Sequence, residues 1–152
     1  TIVHDTKLYL DSTSQIIIDK TNAGLLKCGF KINDYLVSLT DLPGLTYAVN
    51  ARSPSCAWYF GNYIGSDNFT KHCLKLSLNE SLPFILLAHS SIQVNGFNES
   101  QLGNYFNDFN YNYELCGVIE SIPTSGGSCC KAPIENIRIY KPKNLKPEFS
   151  LK

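Results

Sequence analysis

"LKCGFKI", residues 26–32, alternates apolar and polar side chains, with Leu26, Cys28, Phe30 and Ile32 on one side and Lys27 and Lys31 opposite. Successive side chains of a strand point to opposite faces, so this stretch reads as a half-buried β-strand. The same period recurs. Leu74, Leu76 and Leu78 alternate with Lys75 and Ser77, and Ile137 and Ile139 flank Arg138. Phe109, Tyr111, Tyr113 and Leu115 alternate with Asn110, Asn112 and Glu114, which predicts a strand over 109–118. Shorter continuous runs at 15–18, 35–37, 47–49 and 84–88 are β-branched or aromatic in part and mostly bounded by turn residues. Turns are expected at 41–44, at Asn95-Gly96 and in the Ser/Gly loop 125–128. Helical periodicity is confined to short segments, 12–24 and 98–106. These readings predict an all-β fold, a disulfide-stabilised β-sandwich of roughly nine to eleven short strands with room for one or two short helices.

A chain of 152 residues is one ordinary domain. It is apolar enough, at 43% hydrophobic and 17% charged residues, to fold rather than stay disordered. Net charge is zero, without the basic excess that nucleic-acid binding needs. No run of about 18 apolar residues is present to span a bilayer. There is no methionine, even at position 1, and no visible signal peptide. The chain is therefore expected to be a processed piece of a longer precursor. Residues 1–140 read as a single β-rich extracellular domain, and the Lys/Pro-rich residues 141–152 as an exit segment or linker.

Six cysteines, Cys28, Cys56, Cys73, Cys116, Cys129 and Cys130, point to disulfides formed in an oxidising compartment. Three N-x-[ST] acceptors, at Asn68, Asn79 and Asn98, add the expectation of a secreted glycoprotein. Cys129 and Cys130 are adjacent and should each pair elsewhere, because a bond between neighbours violates normal Cα spacing. Cys116 is one candidate partner for that pair, and Cys56 with Cys73 is a plausible local bridge.

Two aromatic stretches carry the candidate binding residues. Trp58 beside Cys56 reads as core packing, whereas Asn62, Tyr63 and Asp67 read as loop. Asn104, Tyr105, Phe106, Asn107 and Asp108 follow Gly103 without alternation and also read as loop. Tyr105 and Phe106 either plug the core or contact a partner. Aromatic faces beside Asn and Asp are what a sugar site needs, through stacking and hydrogen bonds to hydroxyls. Glycans on Asn68 or Asn98 would partly shield these stretches.

Signatures of catalysis are absent from the sequence. There is no G-x-S-x-G elbow and no phosphate or dinucleotide glycine loop, and His4, His72 and His89 lack recognisable partners. His72-Cys73 has no zinc-ligand context. Asp41, Asp67, Asp108 and Glu114 are the acids nearest the loops that could line a cleft. No catalytic residue, metal or cofactor is therefore assigned. With low charge, many Asn, Ile and Tyr residues, several sequons, scattered cysteines and a Lys-Pro exit, the chain resembles in general character an ectodomain module of a viral envelope glycoprotein. That resemblance implies a non-enzymatic domain on a virion, a cell surface or in the extracellular space, part of a larger glycoprotein, monomeric or oligomeric, that recognises a host cell-surface protein or glycan without inserting into the membrane. The alternatives are a secreted hydrolase or effector, and a structural scaffold domain of a larger assembly.

Overall fold

The computed structural model describes residues 11–40, 44–54, 68–69, 71–72, 74, 82–89, 99–120 and 135–143. Among them the chain forms a long helix α1 (Ser12–Lys27), strand β1 (Leu36–Leu39), a helical turn α2 (Leu45–Ala48) and strand β2 (Phe84–His89). A 3-10 turn (Glu99–Gln101) then leads into α3 (Leu102–Tyr105), α4 (Phe109–Asn112), β3 (Tyr113–Glu120) and β4 (Asn136–Pro142). The strands make one mixed sheet in the order β1-β2-β4-β3, with β1 parallel to β2 and the other pairs antiparallel. The expectation of an all-β sandwich is overturned: the architecture is helices on a single four-stranded sheet.

The correction starts at residues 26–32. Asp11 caps α1, its carboxylate accepting from the Ser14 backbone N–H at 2.9 Å and the Ser14 hydroxyl at 2.7 Å. These bonds hold the Asp11 carboxyl below its usual range. Ile17, Thr21 and Leu25, four residues apart, form the buried stripe. The helix ends at Cys28. Gly29 N–H donates to the Leu26 carbonyl and Phe30 N–H to the Leu25 carbonyl, each at 3.0 Å, which is the Schellman pattern. Gly29 supplies the required left-handed backbone, with φ 86°. The apparent alternation therefore comes from a helix stop. Cys28 and Phe30 are buried, whereas Leu26 and Ile32 are 56% and 69% exposed.

The sheet is covered on both faces. Leu36, Phe84, Leu86, Ile119, Ile137 and Ile139 pack with Ile17, Leu25, Cys28 and Phe30 on the α1 side. Val37, Leu39, Ile85, Leu87, Tyr113 and Tyr140 pack with Leu74, Leu102, Phe106 and Phe109 on the other. This explains why residues 84–87 are continuously apolar: a strand buried on both faces has no polar side to show. The runs at 35–37 and 84–88 and the pair Ile137 and Ile139 do lie in or beside strands. The runs at 15–18 and 47–49 do not, since they fall in α1 and at α2. The helices expected at 12–24 and 98–106 are α1 and the 3-10/α3 segment.

α1 sits close to the sheet at Gly24. A Cβ there would lie 2.8 Å from Ile139 Cδ1 and 3.4 Å from Ile119 Cγ1. Below α1, β3 contains a bulge between Leu115 and Gly117, where Leu115 faces Tyr140 and Gly117 faces Ile139. The extra residue, Cys116, flips the alternation of the strand. Tyr113 consequently packs in the core opposite α1, and Ile119 in the core beneath α1. Cys116 is bonded to Cys28, with a Cα separation of 5.7 Å. This overturns its expected pairing with Cys129 or Cys130. Those two cysteines, with Cys56, Cys73 and Trp58, lie outside the described residues, as do the turns at Asn95-Gly96 and 125–128 and the alternation beyond Leu74. The expected boundary after residue 140 falls within β4, where Glu114 and Lys141 form a directly opposed cross-strand ion pair at 3.0 Å.

Two predictions follow from this packing. A Cβ at Gly29 would meet nothing within 4 Å, so substitution tests backbone conformation alone. Gly29→Ala is expected to lower unfolding free energy by about 1–2 kcal/mol in urea titrations. An unchanged midpoint would remove the Schellman stop as a stabilising element. The second concerns the hydroxyls of Tyr113 and Tyr140, buried and without hydrogen-bond partners among the described residues. Burial, with a further contribution from Glu99, pushes Tyr140 up to about 12, and burial pushes Tyr113 up as well. Because the folded state holds these protons more tightly, stability is full below pH 10 and falls as pH rises toward 12. The expected slope is about 1.4 kcal/mol per pH unit for each tyrosine. Tyr113→Phe should hold or raise the neutral-pH midpoint, since it removes an unpaired buried hydroxyl, and should flatten the alkaline slope.

Candidate functional site

Three inward side chains anchor the segment between the 3-10 turn and β3. Leu102, Phe106 and Phe109 are buried against Tyr113 and Tyr140. The Phe109 ring stacks on Tyr113 at 5.2 Å and meets Tyr140 edge-on at 5.2 Å, while Phe106 meets Tyr113 at 5.6 Å. With these residues turned in, their neighbours turn out. An open cleft of about 750 Å³ is lined by Glu99, Ser100 and Gly103 from the 3-10/α3 segment and by Asp108, Phe109, Asn110 and Tyr111 from the α4 segment.

Hydrogen bonds from β4 and within the segment hold the walls. Arg138 on β4 forms an ion pair with Glu99. Just past β4, Lys143 donates its backbone N–H to the Asn112 carbonyl at 2.8 Å and its ammonium to the Asn110 carbonyl at 2.9 Å. Asn112 Nδ2 reaches back to the Asn107 carbonyl at 2.9 Å. Asp108 precedes α4 with φ 50° and ψ 42°, a left-handed conformation that Asp tolerates better than most residues. Its carbonyl accepts from Tyr111 and Asn112 N–H at 2.8 and 2.9 Å. Its carboxylate makes no capping bond and stands at the cleft. Tyr111 is 67% exposed. The site thus offers an aromatic face, an uncommitted carboxylate, an amide and a hydroxyl.

Of the binding residues expected from sequence, Asp108 lines the cleft. Asn104 and Asn107 are exposed nearby. Phe106 is only 1% exposed and belongs to the core. Tyr105 packs partly against that core, with the Lys71 ammonium 5.7 Å from its ring centroid. Asn62, Tyr63 and Asp67 lie outside the described residues, as do Asn79 and Asn98, whereas Asn68 is exposed. Glu99, Ser100, Gly103, Asn110 and Tyr111 were not expected in a site. Tyr111 in particular was placed on the apolar face of a strand, because 109–112 is a single helical turn too short to show a period. Neither His72 nor His89 lines the cleft, and no cluster of metal-ligating side chains occurs among the described residues. No described helix is long and apolar enough to cross a membrane.

The left-handed backbone of Asp108 separates its conformational role from its charge. Asp108→Asn is expected to change unfolding free energy by less than about 0.5 kcal/mol. Asp108→Val should lower it by about 1–2 kcal/mol, because a β-branched residue is poorly accommodated at positive φ. Equal effects in urea unfolding would show that the carboxylate, not the backbone, stabilises this corner. No family model, curated protein or solved structure matches this chain.

Proposed function

We propose that this chain is a non-enzymatic extracellular binding domain that receives part of a host cell-surface protein or glycan in the cleft between α3 and α4. The observation that carries this reading is the exposed Tyr111 over a cleft whose walls are pinned to a buried aromatic core. A large aromatic kept in water beside polar groups is well suited to contact, since it brings area at small entropic cost. The Cys28–Cys116 bridge supports an oxidising compartment, and the exposed Asn68 sequon is compatible with it. The composition noted above favours a viral surface glycoprotein as the setting.

Hydrolysis is less favoured. It asks for two convergent titratable groups, and of the two acids at the cleft Glu99 is engaged by Arg138.

A multimerised, tagged form made in a secretory host tests the proposal on untreated, sialidase-treated and protease-treated cells. An Asn98→Gln form runs beside it, because a glycan on Asn98 would begin one residue from Glu99. Binding is expected, and Tyr111→Ala should weaken it by about tenfold without moving the melting temperature. Absence of binding to every cell type, in both forms, would overturn the reading.

A further inference from the structure

We infer that the cleft selects an uncharged, hydroxyl-rich ring, a neutral saccharide, over sialylated or otherwise anionic glycans. This rests on the reading of the cleft as a binding site and goes beyond it by naming the ligand class.

The charges set the selection. The two acids among the described residues that line the cleft are the carboxylates Glu99 and Asp108, and no lysine or arginine is among those described lining residues. An anionic sugar would face the Asp108 carboxylate, which makes no capping bond. A cationic ligand gains little, because each wall already has a cation beside it: Arg138 pairs with Glu99, and the Lys143 ammonium sits on the Asn110 carbonyl. Among the described residues, two acids and two bases leave the neighbourhood close to neutral. In such a field a group recognised by hydrogen bonding fares better than one recognised by charge.

The remaining features fit a pyranose ring. A carboxylate accepts hydrogen bonds only, so Asp108 calls for a ligand rich in O–H donors. Ser100 and Asn110 both line the cleft, and each side chain can donate and accept. Tyr111, which is exposed, presents aromatic surface in the same lining segment as Asp108. A sugar has an apolar C–H face and a hydroxyl rim, matching this split between aromatic and polar lining. A cleft of about 750 Å³ is within the usual range for small-molecule sites.

Gly103 allows a test that spares the fold. A Cβ on Gly103 would meet nothing within 4 Å, and its backbone is helical rather than left-handed. Gly103→Trp should therefore fill the cleft, and Gly103→Ala serves as its folding control. The multimerised protein would be applied to an array of neutral mannose-, galactose-, glucose- and N-acetylhexosamine-terminated oligosaccharides printed beside sialylated and sulfated counterparts. The expected result is binding to one or more neutral glycans. Capping that glycan with sialic acid should weaken binding about tenfold or more, and so should Gly103→Trp and Tyr111→Ala. Gly103→Ala should melt as the parent does, since its Cβ meets nothing within 4 Å. Binding confined to sialylated or sulfated glycans would overturn the inference while leaving the binding-domain reading in place. So would an empty array together with protease-sensitive cell binding that Gly103→Trp abolishes. If neither array nor cells bind, both readings fail together. If binding survives Gly103→Trp unchanged, the site lies elsewhere and the inference is overturned.

Discussion

The bridge between Cys28 and Cys116 joins the end of a helix to an irregularity in a strand. Cys28 is the C-cap of α1, and Cys116 is the bulge residue of β3. The two are 88 residues apart in sequence. Closing so long a loop removes roughly 4–5 kcal/mol of denatured-state entropy in the chain-entropy model, comparable with the whole net stability of a marginal domain. The bond also fixes the distance between the end of the helix and the edge strand beneath it. Gly117 fits this closeness: a Cβ there would lie 3.5 Å from Cys28 Sγ.

The cleft follows from that geometry several steps later. The bulge at Cys116 turns Tyr113 to the face opposite α1. Tyr113 then stacks on Phe109 and meets Phe106, and these contacts hold α3 and α4 against the sheet. On the neighbouring strand, Tyr140 completes the cluster, and Arg138 reaches the wall at Glu99. A site on loops would be looser. Here each wall is tied to β3 or β4 by aromatic packing or by a hydrogen-bonded cation.

The two central strands of the sheet were legible in the sequence for different reasons. Residues 84–88 read as a strand because a run of apolar side chains fills both sides of the sheet, and Ile137 and Ile139 because they alternate with Arg138 and share one face. The helices were legible only in part. α1 shows its stripe at Ile17, Thr21 and Leu25, but a threonine in the middle hides it from an apolar count. At its end, the Schellman motif buries the C-cap and the residue two beyond, which imitates the period of a strand through Cys28 and Phe30. Four-residue turns such as Phe109–Asn112 carry no period at all. That is why Phe109 and Tyr111, two apart, were assigned to one face when one is buried and the other stands in water. Of the site, Asp108 was legible as an acid beside aromatics. Glu99 was not, because its role depends on Arg138, 39 residues away.

Among the described residues three non-glycine residues adopt positive φ, and their surroundings differ in a telling way. Asn33 and Asn50 belong to one corner, where Asn33 N–H donates to the Asn50 carbonyl at 2.9 Å and the chain turns into β1. Their left-handed backbones are explained by the turns they make. Asp108 also makes a turn, through its carbonyl, but its side chain is left at the cleft instead of capping α4. An asparagine or glycine would serve the turn as well, with less or equal strain. What only Asp adds is a carboxylate that lines the cleft with Tyr111, where the other acid, Glu99, is already paired with Arg138. A backbone outlier supports a functional reading when the fold alone does not call for the residue that occupies it. Of the three positions, Asp108 alone meets that condition.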